Sequence, residues 1–138
     1  MTISELLNIF SGIFNLKGIK GEEKLTNEVV QELKALTLEG RLNCLWFHVP
    51  NEQVIKNKND VVRVRKMKCL GLIPGAPDIV FLAANQNVCL ELKTATGRQS
   101  ESQALFQNWS EHAHVPYYIC RSVQDVKSVL KKEKILNV

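Results

Sequence analysis

An α/β layered domain around a small mixed sheet is the fold class this sequence predicts, and three observations carry it. Short apolar, β-branched or aromatic runs of strand length recur at 42–49, 78–83, 88–94 and 116–121, bounded by Gly, Pro, Asn or Asp. Longer segments with apolar residues at helical spacing stand among them. The resulting order, α-α-β-(α)-β-β-α-β-α, places helices after runs of strands, which suits layers about one sheet.

Each element has a local justification. Residues 2–15 predict a helix, because Leu6, Leu7, Phe10, Ile13 and Phe14 recur on one side and Thr2 with Glu5 fits a capping box. Gly18 and Gly21 break the chain. A second helix covers 23–38, with Leu25, Val29, Leu33 and Leu36 on one stripe and Gly40 past its end. Pro50 stops the strand at 42–49, and the polar stretch 51–59 is a loop. Residues 60–70 are β-branched at the start but have helix length, and the reading leans to helix. Strands at 78–83 and 88–94 flank a hairpin at Asn85-Gln86-Asn87. A helix at 101–113, a strand at 116–121 and a helix at 123–132 complete the order. Trp46, Phe47, Phe81, Phe106 and Trp109 are expected in the core.

The 138 residues fit one domain, with a helical extension over 1–20 and the main body over 22–138. A net charge of +4 and a pI near 8.9 are compatible with a polyanionic partner. No apolar run has the length of a membrane span, and the first residues lack the pattern of a signal peptide. Cys44, Cys69, Cys89 and Cys120 form no CxxC or zinc spacing, so a reducing, cytoplasmic setting is expected.

The chemistry concentrates between Gly71 and Gln103. Asp78 follows a Pro-Gly turn at the head of an apolar strand, and Glu91 and Lys93 stand two residues apart in the next one. With period-two alternation, Glu91 and Lys93 share one face while Val88, Leu90 and Leu92 share the other. Charges on a buried strand are costly unless something lies between them, and a divalent ion with a phosphate meets that need. Residues opposite each other in an antiparallel pair have Cβ atoms roughly 4.5–5.5 Å apart, so Asp78 and Glu91 can share one hard cation. The Leu92 carbonyl is a natural third ligand. Lys93 then stands where an ammonium orients attacking water and offsets charge in the transition state. Pro74, Gly75 and Pro77 stiffen the approach to Asp78.

Pro77-Asp78 followed by Glu91-Leu92-Lys93 resembles the PD-(D/E)xK nuclease signature. The fuller string, Gly71-x-x-Pro74-Gly75-x-Pro77-Asp78 with Gly97 and Gln103 downstream, is similar to the VRR-NUC branch of that superfamily. The resemblance spans about residues 26 to 121. It implies a restriction-endonuclease-like core and a nuclease dependent on Mg2+, with Mn2+ as substitute. In the family a helix glutamate and a later glutamine complete the site. Glu28 best matches the first, with Glu32 also a candidate, and Gln103 matches the second. Ser100-Glu-Ser-Gln103 is equally a capping box, which gives Gln103 a structural alternative. His48, in His48-Val-Pro-Asn51-Glu52, resembles a segment near the cleft in phage members, and a satisfied polar residue at a strand end is the alternative. His112 and His114 form an HxH without a third ligand, so zinc is not expected there.

Lys56, Lys58, Arg63, Arg65, Lys66 and Lys68 form a basic run broken only by Asp60, and Arg98 lies in the loop after the second motif strand. These are the expected phosphate contacts on DNA. The expected function is metal-dependent hydrolysis of DNA phosphodiester bonds, on structured or branched DNA in replication, repair or recombination. A catalytically silent nucleic-acid-binding module and a different metal phosphoesterase are the alternatives. Symmetric cutting of both strands by a one-site domain implies a homodimer, for which the first helix is a candidate surface.

Overall fold

The structure, a computed structural model, describes residues 1–11, 16–50 and 55–137. Its elements are α1 (Ile3–Ile9), α2 (Gly21–Leu38), β1 (Leu45–His48), α3 (Lys58–Cys69), β2 (Ile79–Leu82), β3 (Asn87–Leu92), α4 (Glu101–His112), β4 (Tyr117–Cys120) and α5 (Val123–Lys132). The strands form one sheet in the order β1-β2-β3-β4, antiparallel from β1 to β3 and parallel between β3 and β4. The sheet is mixed and flanked by helices, as the sequence pattern predicts.

β3 decides the layering. From Val88 to Lys93 every residue is buried, so this strand is covered on both faces. On one face Val88, Leu90 and Leu92 join Ile79, Phe81 and Cys120 against Val29, Leu33 and Leu36 of α2 and Val126 and Leu130 of α5. The apolar stripe of α2 is the one its periodicity predicts, with Leu25 half-buried at its start. On the other face α4 packs over β4, where the Phe106 ring lies 6.4 Å from that of Tyr117. Val88, Leu90, Ile79 and Phe81 are fully enclosed, each worth roughly 1.5–3 kcal/mol relative to exposure.

Some boundaries differ from those expected. Only Leu45–His48 joins the sheet from the 42–49 run, and Leu42 bridges instead to Leu136 beyond α5. The first helix keeps its Thr2–Glu5 capping box but ends at Ile9, and Ser11 has a positive φ of 54°. Residues 12–15 of the expected helix, with Ile13 and Phe14, lie outside the described residues. The ambiguous segment is helical, because Asn57 caps the Asp60 N–H and Gly71 ends it at a φ of 107°. Two aromatics expected in the core are exposed, Phe47 at 48% and Trp109 at 58%. Phe47 lies on the edge strand β1 and Trp109 on an outer face of α4. Trp46 is half-buried, its indole N–H donating to Thr37 Oγ1 at 2.9 Å. Among the described residues no helix is long and apolar enough to cross a membrane.

Gly75 locks two elements together. Its φ is +80°, and a Cβ there would stand 2.2 Å from the Ser102 carbonyl oxygen in the first turn of α4. Only glycine permits this approach, so the Pro-Gly turn and the start of α4 form one joint. Gly75→Ala is expected to destabilise the fold by about 2 kcal/mol or more, from combined backbone strain and clash. Denaturant unfolding checks this; a variant within about 0.5 kcal/mol of wild type would contradict the joint.

Candidate active site

The site forms where the β2–β3 ladder ends. Ile79 pairs with Leu90, and one step further the register sets Asp78 opposite Glu91 and Pro77 opposite Leu92. Leu92 turns its N–H and carbonyl toward β2, because Lys93 N–H already donates to Cys120 of β4 at 3.0 Å and strand residues alternate. A normal partner at 77 would donate to the Leu92 carbonyl. Proline has no N–H to give, so that carbonyl is left beside the carboxylates without a ladder donor. The Leu92 N–H instead donates to Asp78 Oδ2 at 2.6 Å. Pro77 thereby ends the sheet and Asp78 takes its next hydrogen bond.

Glu91 is 1% exposed and held at both oxygens. Gln103 Nε2 donates to its Oε1 at 2.6 Å, and the Tyr117 hydroxyl donates to its Oε2 at 3.3 Å. Lys93 Nζ stands 3.8 Å from Glu91 Oε1 and 3.4 Å from Glu22 Oε1. The ammonium is thus buried between two carboxylates. Desolvation, then the facing Asp78 charge, pushes the Glu91 carboxyl up to about 8 against the pull of Lys93. Burial also raises Asp78, with the Leu92 N–H working against it. Two buried carboxylates that face each other favour sharing a proton over carrying two charges.

The structure brings together Asp78, Glu91, Lys93 and Gln103, with the Leu92 carbonyl at the same ladder end. Both readings of Gln103 hold at once: its Oε1 accepts from the Ser100 N–H at 2.8 Å while its Nε2 reaches Glu91. Glu28 is not in this cluster. It is exposed on α2, and Glu32 pairs with Lys127 of α5 at 2.8 Å. The α2 carboxylate that meets the site is Glu22, in the first turn. Six residues at 100° each carry Glu28 about 240° round the helix and roughly 9 Å along it from Glu22. The sequence pattern placed the helix start at residue 23, which hid Glu22; the acidic pair Glu22-Glu23 behind Gly21 was the available signal.

His48 and Asp78 line one cleft. Asn51 and Glu52 lie outside the described residues. Lys58, Arg65, Lys66 and Lys68 are exposed on α3, as is Lys56 just before it. Arg63 is also exposed, 3.7 Å from Asp60. At 100° per residue Lys58, Arg63, Arg65 and Lys66 stand about 100° or more round the helix from buried Val64, and Lys68 about 40° from it. Arg98 is exposed in the turn after β3, and Arg121 closes that turn by donating to the Thr94 and Gly97 carbonyls. His112 and His114 are both exposed at the end of α4.

Among the described residues no cluster of three or more His, Cys, Asp or Glu side chains forms a ready metal cage. The donors present are two carboxylates and a carbonyl without a ladder donor, a hard oxygen set suited to magnesium, which keeps several waters and takes few protein ligands. The residues therefore fit such an ion. An uncharged or proton-sharing pair without it, and an ion-neutralised pair with it, are two ways of meeting the same burial cost.

No family model matches the chain, and no curated protein matches it. A solved structure described as a VRR_NUC domain protein matches with a TM-score of 0.61, at 16% identity, over 88% of this chain and 94% of that one. At this identity the likeness shows the fold: a restriction-endonuclease-like α/β core with a four-stranded mixed sheet.

The raised Glu91 carboxyl has a consequence for stability. Its folded value of about 8 lies above the ordinary 4.5, so the neutral form contributes stability that is full below about pH 4.5 and lost as pH rises through 8. In chelator, the unfolding midpoint of the wild type should fall between about pH 5 and 8. Glu91→Gln, neutral throughout, should flatten that fall and exceed wild type at pH 8. Thermal unfolding across this range tests it, and parallel pH curves for the two proteins would contradict the burial argument.

Proposed function

We propose that the protein is a divalent-metal-dependent nuclease of the VRR-NUC branch, hydrolysing phosphodiester bonds of structured or branched DNA. One observation carries the reading: in a fold shared with a VRR_NUC domain protein, Asp78 and Glu91 face each other at a ladder end with Lys93 buried beside them. Asp78, Glu91 and the Leu92 carbonyl would hold Mg2+, or Mn2+ in its place. When bound, the ion supplies Lewis-acid stabilisation of phosphoryl charge and acidifies water.

The remaining work falls to the chain. Lys93, fixed between Glu91 and Glu22, presents a cation to the scissile phosphate and the attacking water. Gln103 and Tyr117 hold the Glu91 carboxylate in one orientation, and the Leu92 N–H holds Asp78. The exposed cations of α3 and Arg98 neutralise backbone phosphates, which positions DNA without reading its sequence. Doubling of the site in a homodimer belongs to this reading, since symmetric cutting of two strands needs two copies. Exposed Ile3 and Ile9 make α1 available for that pairing.

The test is purified protein on labelled duplex, single-stranded, flap, fork and four-way-junction DNA, with magnesium, manganese, calcium or chelator. Cleavage is expected with magnesium or manganese and lost in chelator; binding without cleavage under every condition would favour the silent module instead. Lys93→Ala should lower the rate by about a few hundredfold with the fold intact, judging from the loss of one transition-state stabiliser. A near-wild-type rate at saturating substrate would remove Lys93 from the chemistry.

Binding in calcium should weaken with salt by a log–log slope of about −0.9 per phosphate contacted. Replacing Arg65, Lys66 and Lys68 with alanine is expected to flatten the slope by up to about three units while the rate at saturation changes little. An unchanged slope would make α3 an ordinary solvated helix.

A further inference from the structure

A cleft of about 530 Å3 opens beside Asp78 and Gln103 and is larger than the proposed chemistry needs. Its size falls within the range of pockets that enclose a small ligand. Beyond the carboxylates its apolar walls include Ile19, Val30, Val49 and Pro50, and Thr26, Asn27, His48 and Gln103 are its other polar lining. No lysine or arginine is among its described lining residues, while Glu22 and Glu23 are. The ion proposed at Asp78 would draw the scissile phosphate to that end, and the rest of the cleft, which Glu22 and Glu23 also line, disfavours a second phosphate. Apolar walls with the amides of Asn27 and Gln103 among them suit an uncharged, flat group that has polar edges. An amide offers two donors and an acceptor to such an edge.

We infer that this cleft takes a single unstacked nucleobase of the nucleotide adjoining the scissile phosphate, so that the substrate carries an unpaired nucleotide at the cut. This rests on the nuclease reading above and narrows it. A cleft of this size has room for one base and its sugar. In continuous duplex the base stays in the stack and the cleft goes unused, whereas a base in a flap, overhang or junction is free to enter it. The charge pattern agrees: phosphates run along the basic surfaces and the base enters a cleft with no lysine or arginine among its described lining residues.

2-Aminopurine placed singly through a duplex–flap junction tests this in calcium. Because no Trp, Tyr or Phe is among the described lining residues, a base entering the cleft loses its stacking partners. One position should therefore brighten several-fold on binding. In magnesium, cutting beside that unpaired nucleotide should be at least about tenfold faster than in continuous duplex. Val30→Phe fills the cleft and Asn27→Leu removes one of its amides. Each is expected to abolish the brightening and most of that preference while leaving the slow cutting of continuous duplex unchanged. Far-UV dichroism and thermal unfolding confirm that each variant is folded. A wild type that cuts DNA with no position brightening, or variants that keep both brightening and preference, would overturn the base pocket and leave the nuclease reading standing. A wild type that cuts no substrate overturns both.

Discussion

Two carboxylates buried against each other at the end of a strand ladder are the constraint around which this molecule is arranged. Asp78 and Glu91 face one another because the β2–β3 register continues one residue past Ile79 and Leu90, where proline ends the hydrogen bonding. Leaving both charges unsatisfied there would be expensive. The surroundings answer with specific groups: the Leu92 N–H on Asp78, Gln103 and Tyr117 on Glu91, and the Lys93 ammonium between Glu91 and Glu22. These groups come from the end of β3, from α4, from β4 and from the first turn of α2, so the cluster is a product of the whole fold.

That dependence explains features that otherwise look unrelated. Gly75 lets the Pro-Gly turn touch the first turn of α4, which sets where Gln103 stands relative to Asp78. The capping box of α4 then uses one end of the Gln103 amide and leaves the other for Glu91. Just past the same end of β3, the turn carrying Gly97 is closed by Arg121 onto the Thr94 and Gly97 carbonyls. Gly97 also lies close to Glu22, where a side chain would crowd Glu22 Oε1 at 3.4 Å. Glycines that appear to be loop punctuation in the sequence are thus points where backbone must pass close to the site.

The site and the outer surface divide the charge. Lys93 is buried and confined, while the cations of α3 are exposed on a helix that buries only Val64. A buried ammonium between carboxylates acts on one place at short range. An exposed fan of cations acts on a polyanion through screened, additive contacts. The proposed activity needs both.

Much of this was legible from residue pattern alone. The alternation through Val88-Cys89-Leu90-Glu91-Leu92-Lys93 sets Glu91 and Lys93 on one face, and the stripe Val29, Leu33, Leu36 identifies the core face of α2. Both are local periodicities, and the structure keeps them. Pro77-Asp78 and Gly75 announced a special backbone, although not that Pro77 withholds a donor from the Leu92 carbonyl. The exposure of Phe47 and Trp109 was hidden, because hydrophobicity says that a side chain prefers burial and not whether a helix is there to cover it. Glu22 was hidden for a related reason. Its role depends on where α2 begins and on the angle at which its first turn meets the end of β3. Glu28 and Glu32 have the same chemistry but lie further along the helix and round it. Residue type and local period determine what each side chain can do and which way it faces on its own element. Which carboxylate reaches Lys93, and that a cleft opens beside Asp78, depend on the relative placement of elements far apart in the chain. Only the tertiary structure decides that.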